Sequence, residues 1–128
     1  MIRFLASLFF LVVTSAGAFA HSLPPFSTWQ NDGGSVLTVS QVSNHSFRGT
    51  FTSYAPGYGC QGIPYPAAGS VKPDGHFSLR VAFPACASVT NWQGRLVGNR
   101  IVAKWKLVYV DLKGRHKRLA GPNIFTRL

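Results

Sequence analysis

Glutamate is absent from this 128-residue chain, and aspartate occurs only at Asp32, Asp74 and Asp111, each at an expected turn or strand end. Paired carboxylates for general acid–base chemistry are therefore missing. Four histidines, His21, His45, His76 and His116, fall in or beside turns or at the expected mature N-terminus, outside any triad or metal spacing. Two cysteines, Cys60 and Cys86, come without a C-x-x-C or H-x-x-x-H partner, too few ligands for zinc. The chain also lacks a hydrophobic run of membrane-spanning length, since its main apolar stretch ends at Val13. Helical periodicity is almost absent. These absences leave a binding protein, neither enzyme nor metalloprotein, with no cofactor expected.

What is present begins with Arg3, an apolar run from Phe4 to Val13, and Ala18-Phe19-Ala20 before His21. That order is a secretory signal peptide over residues 1–20, followed by one domain over 21–128 that is secreted or periplasmic. In an oxidising compartment an intrachain Cys60–Cys86 disulfide is the default reading, with two buried free thiols as the alternative. Such a bridge closes a loop of about 25 residues, worth roughly 3 kcal/mol in the chain-entropy model. Thirteen Lys and Arg set the formal charge at +10; losing Arg3 with the leader makes these twelve and +9. Most of the basic residues are spaced singly along expected strands, and only Lys113, Arg115, Lys117 and Arg118 cluster, in an expected loop. A solvated basic surface is the leading reading; a polyanion site is the alternative, with no specific nucleic acid expected.

Alternation at every second residue, punctuated by Gly-, Pro- and Asn-rich turns, predicts an all-β domain. Eight strands are expected, around 26–31, 35–42, 46–54, 67–72, 76–83, 88–98, 100–111 and 122–127. Phe77, Leu79, Val81 and Phe83 share one face of the fifth strand; Phe47, Gly49, Phe51 and Ser53 share one of the third. Ile101, Ala103, Trp105, Leu107 and Tyr109 do so on the seventh. Eight short-linked antiparallel strands suit an up-and-down β-barrel whose interior holds one small ligand. Val102, Val108 and Val110 on the outer side of the seventh strand form a candidate subunit interface.

Several polar residues gather toward one end of these inner faces. Ser88, Thr90 and Trp92 share a face of the sixth strand, two hydroxyls beside an indole, suited to a ligand with an apolar body and a polar tail. Asn31, Ser35 and Ser53 lie at the ends of the first three strands, where small donors and acceptors could read a planar carbonyl and its flanking N–H groups. Each has a plainer reading as turn, strand or core residue.

The ordered set S-T-W-Q-N-D-G-G-S (27–35), G-T-F-T-S (49–53), G-C-Q-G-I-P-Y-P (59–66), S-V-T-N-W-Q-G (88–94), Trp105 and G-P-N-I-F-T (121–126) resembles the avidin and streptavidin family of biotin-binding proteins. The Cys-containing segment is most similar to the short dimeric bacterial avidins. The resemblance implies that Asn31, Ser35 and position 51 grip the ureido oxygen of biotin, and that Ser53 and Asn123 bond its ureido nitrogens. It places Thr90 near the ring sulfur, Ser88 at the valerate carboxylate, and Phe83, Trp92 and Trp105 around the bicyclic ring. The loop 54–59 matches a segment that covers the ligand, and Trp29 a packing residue. Three positions depart from the pattern. Phe51 stands where a tyrosine hydroxyl is usual, Phe83 where a tryptophan is common, and Asn123 where many bacterial members have Asp. Weaker binding than in the tightest members is expected. No tryptophan follows Trp105, so the one that tetrameric avidins lend to a neighbour, which would align near Arg115, is missing; a homodimer is expected. Two alternatives are a member that has lost biotin and acts on a polyanion or anionic envelope through its basic surface, and a lipocalin-like carrier. Asn44-His45-Ser46 is a glycosylation sequon, relevant only in a eukaryotic secretory pathway.

Overall fold

Side chains that alternate between core and solvent cannot bury their apolar half in a single flat sheet, and closing the sheet on itself solves this while removing both edges. The chain does so. A computed structural model describes residues 22–128; the leader read at 1–20, and His21, lie outside the described residues. The strands are β1 (Thr28–Asn31), β2 (Val36–Ser43), β3 (Ser46–Thr52), β4 (Pro64–Val71), β5 (His76–Phe83), β6 (Ser88–Val97), β7 (Arg100–Val110) and β8 (His116–Arg127). Each pairs antiparallel with the next, and β1 meets β8 through Trp29↔Arg127, Gln30↔Thr126 and Asn31↔Phe125, closing an eight-stranded barrel.

The inner faces follow the alternation expected for the third, fifth and seventh strands. Leu37, Val39, Phe77, Val81, Ile101 and Phe125 are fully buried, and Phe47 stacks on Phe77 at 5.9 Å. Trp29 packs in the core as expected, its indole N–H donating to Ser27 Oγ at 2.9 Å. Apart from Ser27, which holds the Trp29 indole, the buried polar side chains are Ser35, Ser53, Ser88 and Thr90. The interior is thus apolar at one end and hydroxylated at the other. Gly49 and Gly69 allow the twisted strands to close together: a Cβ at Gly49 would lie 1.8 Å from the Thr38 carbonyl oxygen.

Two strands differ from expectation. β4 begins three residues earlier than read, through Pro64-Tyr65-Pro66. These residues pair only with β3, because β5 joins at Ala67↔Val81, so neither proline lacks a donor that a neighbour needs. β8 begins at His116, six residues before the expected start. Its first half, HKRLAG, shows no apolar alternation, yet β7 offers it a continuous ladder from Val110↔His116 to Trp105↔Gly121. Lys117 and Arg118 therefore sit on a strand, and only Lys113 and Arg115 on the turn, where Arg115 pairs with Asp111 at 3.3 Å. The remaining ends coincide with expectation or shift by one or two residues.

Candidate ligand-binding site

The site starts in the turn between β1 and β2. Asn31 Oδ1 accepts from the backbone N–H of Gly33 (3.0 Å) and of Ser35 (2.9 Å), an arrangement that Asn makes readily in a turn. With its carbonyl committed to the turn, the amide can only present its NH2 to the barrel mouth, where Nδ2 donates to Asn123 Oδ1 at 3.4 Å. Asn123 Oδ1 also accepts from the Trp92 indole N–H at 2.9 Å, and its Nδ2 donates to Asp32 Oδ1 at 3.0 Å. Ser35 Oγ accepts from the Tyr54 N–H (3.0 Å) and Ser53 Oγ from the Ala55 N–H (3.3 Å). Each serine hydroxyl keeps its own proton and a lone pair for something else.

Beside this polar cluster stands an aromatic wall. Phe51 lies 4.9 Å from Trp92 and 6.2 Å, edge-on, from Phe83; Tyr65 and Tyr58 meet Phe83 edge-on at 5.1 and 5.6 Å. Trp105, opposite Gly121 on β8, lies so close to that glycine that a Cβ there would sit 2.8 Å from its ring. Walls and polar cluster enclose a cavity of about 440 Å³ at the hydroxylated end of the barrel. Among the described residues its lining carries no charged side chain. Such a cavity suits a ligand with a neutral polar head and an apolar body.

Nine candidate residues line this cavity: Asn31, Ser35, Phe51, Ser53, Phe83, Thr90, Trp92, Trp105 and Asn123. Ser88 does not. It is buried at the barrel rim, and its hydroxyl hydrogen-bonds that of Tyr58, a residue that does line the cavity. Burial raises the Tyr58 phenol above its ordinary value, with the Ser88 bond acting the other way, so it remains a neutral hydroxyl at neutral pH. Ala55, Pro56, Gly57 and Tyr58 also line it, so the loop of residues 54–59 borders the cavity. That loop is tethered. Cys60 and Cys86 form the expected disulfide, joining it to a one-turn 3-10 helix, Pro84–Cys86, between Phe83 and Ser88.

Leu107, Leu119 and Asp32 are absent from the sequence-based site residues, and Tyr58 enters there only as part of the loop 54–59. Tyr58 sat in a glycine-rich loop whose path no local pattern sets. Leu107 was read as inward but not as wall, and Leu119 belongs to the half-strand without alternation. Asp32 looked like turn chemistry, and its partner Asn123 is 91 residues away. The other polar candidates do not assemble: His76 bonds Gln93 on the outer surface at 2.9 Å, and His45 and His116 are exposed. Among the described residues no three His, Cys, Asp or Glu side chains form a metal-binding group, and no helix is long and apolar enough to cross a membrane.

Residues 20–128 match the family model of the avidin family. Afifavidin of Afifella pfennigii is 38% identical over 92 residues, which span 65% of this chain and 57% of that protein's length. Among solved structures, the bradavidin2–biotin complex is 46% identical, with a TM-score of 0.78 over 83% of this chain and 99% of that one. The rhizavidin–biotin complex is 31% identical, with a TM-score of 0.70 over 80% and 91% of the two chains.

Proposed function

The chain belongs to the avidin family, and from that premise we propose that it binds biotin non-covalently in the mouth of the barrel, as a ligand and without catalysis. The observation that carries this reading is the contact between Asn31 Nδ2 and Asn123 Oδ1 at 3.4 Å. A donor and an acceptor side by side, each fixed by its other bonds, complement the adjacent carbonyl and N–H of a cyclic urea. A ureido edge entering between them takes both. Its oxygen accepts from Asn31 and from the Ser35 hydroxyl, while its N–H groups donate to Asn123 Oδ1 and Ser53 Oγ.

Phe51, Phe83, Trp92 and Trp105 enclose the bicyclic ring, with Thr90 at its sulfur. Ser88 acts through Tyr58, which turns its hydroxyl toward the valerate end. Because turn, strands and disulfide fix these groups beforehand, little ordering cost is left for binding, which favours affinity. Affinity below that of the tightest avidins follows from the missing hydroxyl at Phe51 and the smaller ring at Phe83. Residues 1–20 act as an export leader, residues 21–128 form the secreted or periplasmic domain, and the domain works as a homodimer.

Retention on biotin-agarose at moderate salt tests the reading. Elution by free biotin supports it. Elution by salt alone moves the function to the basic surface and a polyanion, and passage of the protein without retention rejects the biotin site.

A further inference from the structure

An asparagine amide can face either way, and the two orientations offer opposite groups to a ligand. Which one Asn123 adopts decides what the pocket recognises. With Oδ1 inward it accepts an N–H; turned over, it would push its NH2 at that N–H. Trp92 favours the first orientation, because its indole can only donate and does so to Oδ1 at 2.9 Å. Outside the pocket the deciding contact is Asp32, whose Oδ1 receives Asn123 Nδ2 at 3.0 Å. Turned over, Asn123 would set carbonyl against carboxylate and NH2 against indole N–H, losing both bonds.

Asp32 is itself held across the seam that closes the barrel. Its Oδ1 also accepts the Ile124 N–H at 3.1 Å, and its own N–H donates to the Ile124 carbonyl at 3.0 Å. Resting on the biotin reading of the pocket, we infer that Asp32 is a positioning residue. From outside the cavity it locks the Asn123 amide so that a neutral side chain presents an acceptor to the ligand's N–H. Through Asp32 the chain keeps a carboxylate one bond removed from the ligand, and the cavity itself stays uncharged.

The test compares Asp32→Ala and Asp32→Asn in the full chain, in the natural background and with Asn123→Asp. In the natural background Asp32→Ala should weaken biotin binding about tenfold, the effect of losing one charge-assisted hydrogen bond. Asp32→Asn, whose carbonyl still accepts both N–H groups, should stay within about threefold by the same reckoning. With Asn123→Asp the sign changes. A carboxylate at 123 has no orientation to set and is repelled by Asp32, so Asp32→Ala should leave binding unchanged or tighten it. Equal weakening in both backgrounds would make Asp32 a brace for Ile124 and overturn the inference.

A second readout needs no ligand. In amide NMR of the natural protein, one Asn123 side-chain proton should be shifted downfield and protected from exchange, lost in Asp32→Ala and kept in Asp32→Asn. Its absence from the natural protein overturns the inference, whatever biotin does. Its presence in a protein that binds no biotin upholds the orientation and rejects the ligand.

Discussion

Phe51 shows how far a single position controls the pocket. Its ring is 2% exposed, wedged against Trp92 and Phe83 on the cavity wall. It contributes apolar area, yet offers nothing to the oxygen that Asn31 and Ser35 are proposed to hold. A tyrosine there adds a phenol where a buried carbonyl lacks a donor, an interaction of about 1 to 3 kcal/mol. Phe51→Tyr should therefore tighten biotin roughly 5- to 150-fold, read as the ratio of dissociation constants in competition calorimetry. Unchanged or weaker binding would mean that the hydroxyl does not reach the ligand's oxygen. At this scale the sequence was legible where a residue's role is local. Asn31 and Ser35 stand out because the turn that fixes them lies within five residues. Asp32, in the same turn, does not, because its role appears only when the closing seam brings it to Asn123.

Among the elements, β8 was the hardest to read and matters most to one wall. Its first half carries no hydrophobic alternation because it borders the open mouth, where an inward side chain meets the cavity instead of packed core. Gly121 leaves room for the Trp105 indole to approach the strand closely. Gly121→Ala would set a methyl carbon 2.8 to 3.0 Å from three atoms of that indole and force it toward the cavity. We expect weaker biotin binding and an altered tryptophan emission spectrum in the unliganded protein; wild-type affinity would show that Trp105 is not a wall. The disulfide was legible from compartment and composition, although what it ties together was not. It fastens the end of the loop 54–59 to the 3-10 turn that follows β5. Replacing both cysteines with serine should lower stability by roughly 3 kcal/mol on chain entropy alone. Chemical denaturation measures this, and a loss below about 1 kcal/mol would contradict that entropy model.

Across the whole molecule, strand count, barrel closure and the division between apolar and hydroxylated ends follow from alternation and turn spacing, which act along the chain and need no distant information. Association between copies is different, because it depends on which outer side chains form a continuous patch. Of the three valines expected at an interface, Val102 and Val110 are 51% and 38% exposed while Val108 is half-buried, and Ile124, opposite Val102 on β8, adds a further 42% exposed side chain. The proposed homodimer buries this face, since two such surfaces are removed from water together. Val102→Lys should then yield monomers by light scattering at concentrations where the natural chain is dimeric. A natural chain that is already monomeric, or a variant that stays dimeric, would place the interface elsewhere or remove it.

In the proposed function, the neutral, aromatic-walled cavity at the barrel mouth takes biotin through the fixed donor and acceptor of Asn31 and Asn123. Calorimetric titration of the natural chain with biotin, repeated with Asn31→Ala, tests it most directly. Saturable, exothermic binding of a single biotin per chain is expected, weakened at least about tenfold by Asn31→Ala through loss of a buried donor. Absence of saturable heat in the natural chain, or the same affinity in both proteins, would contradict it.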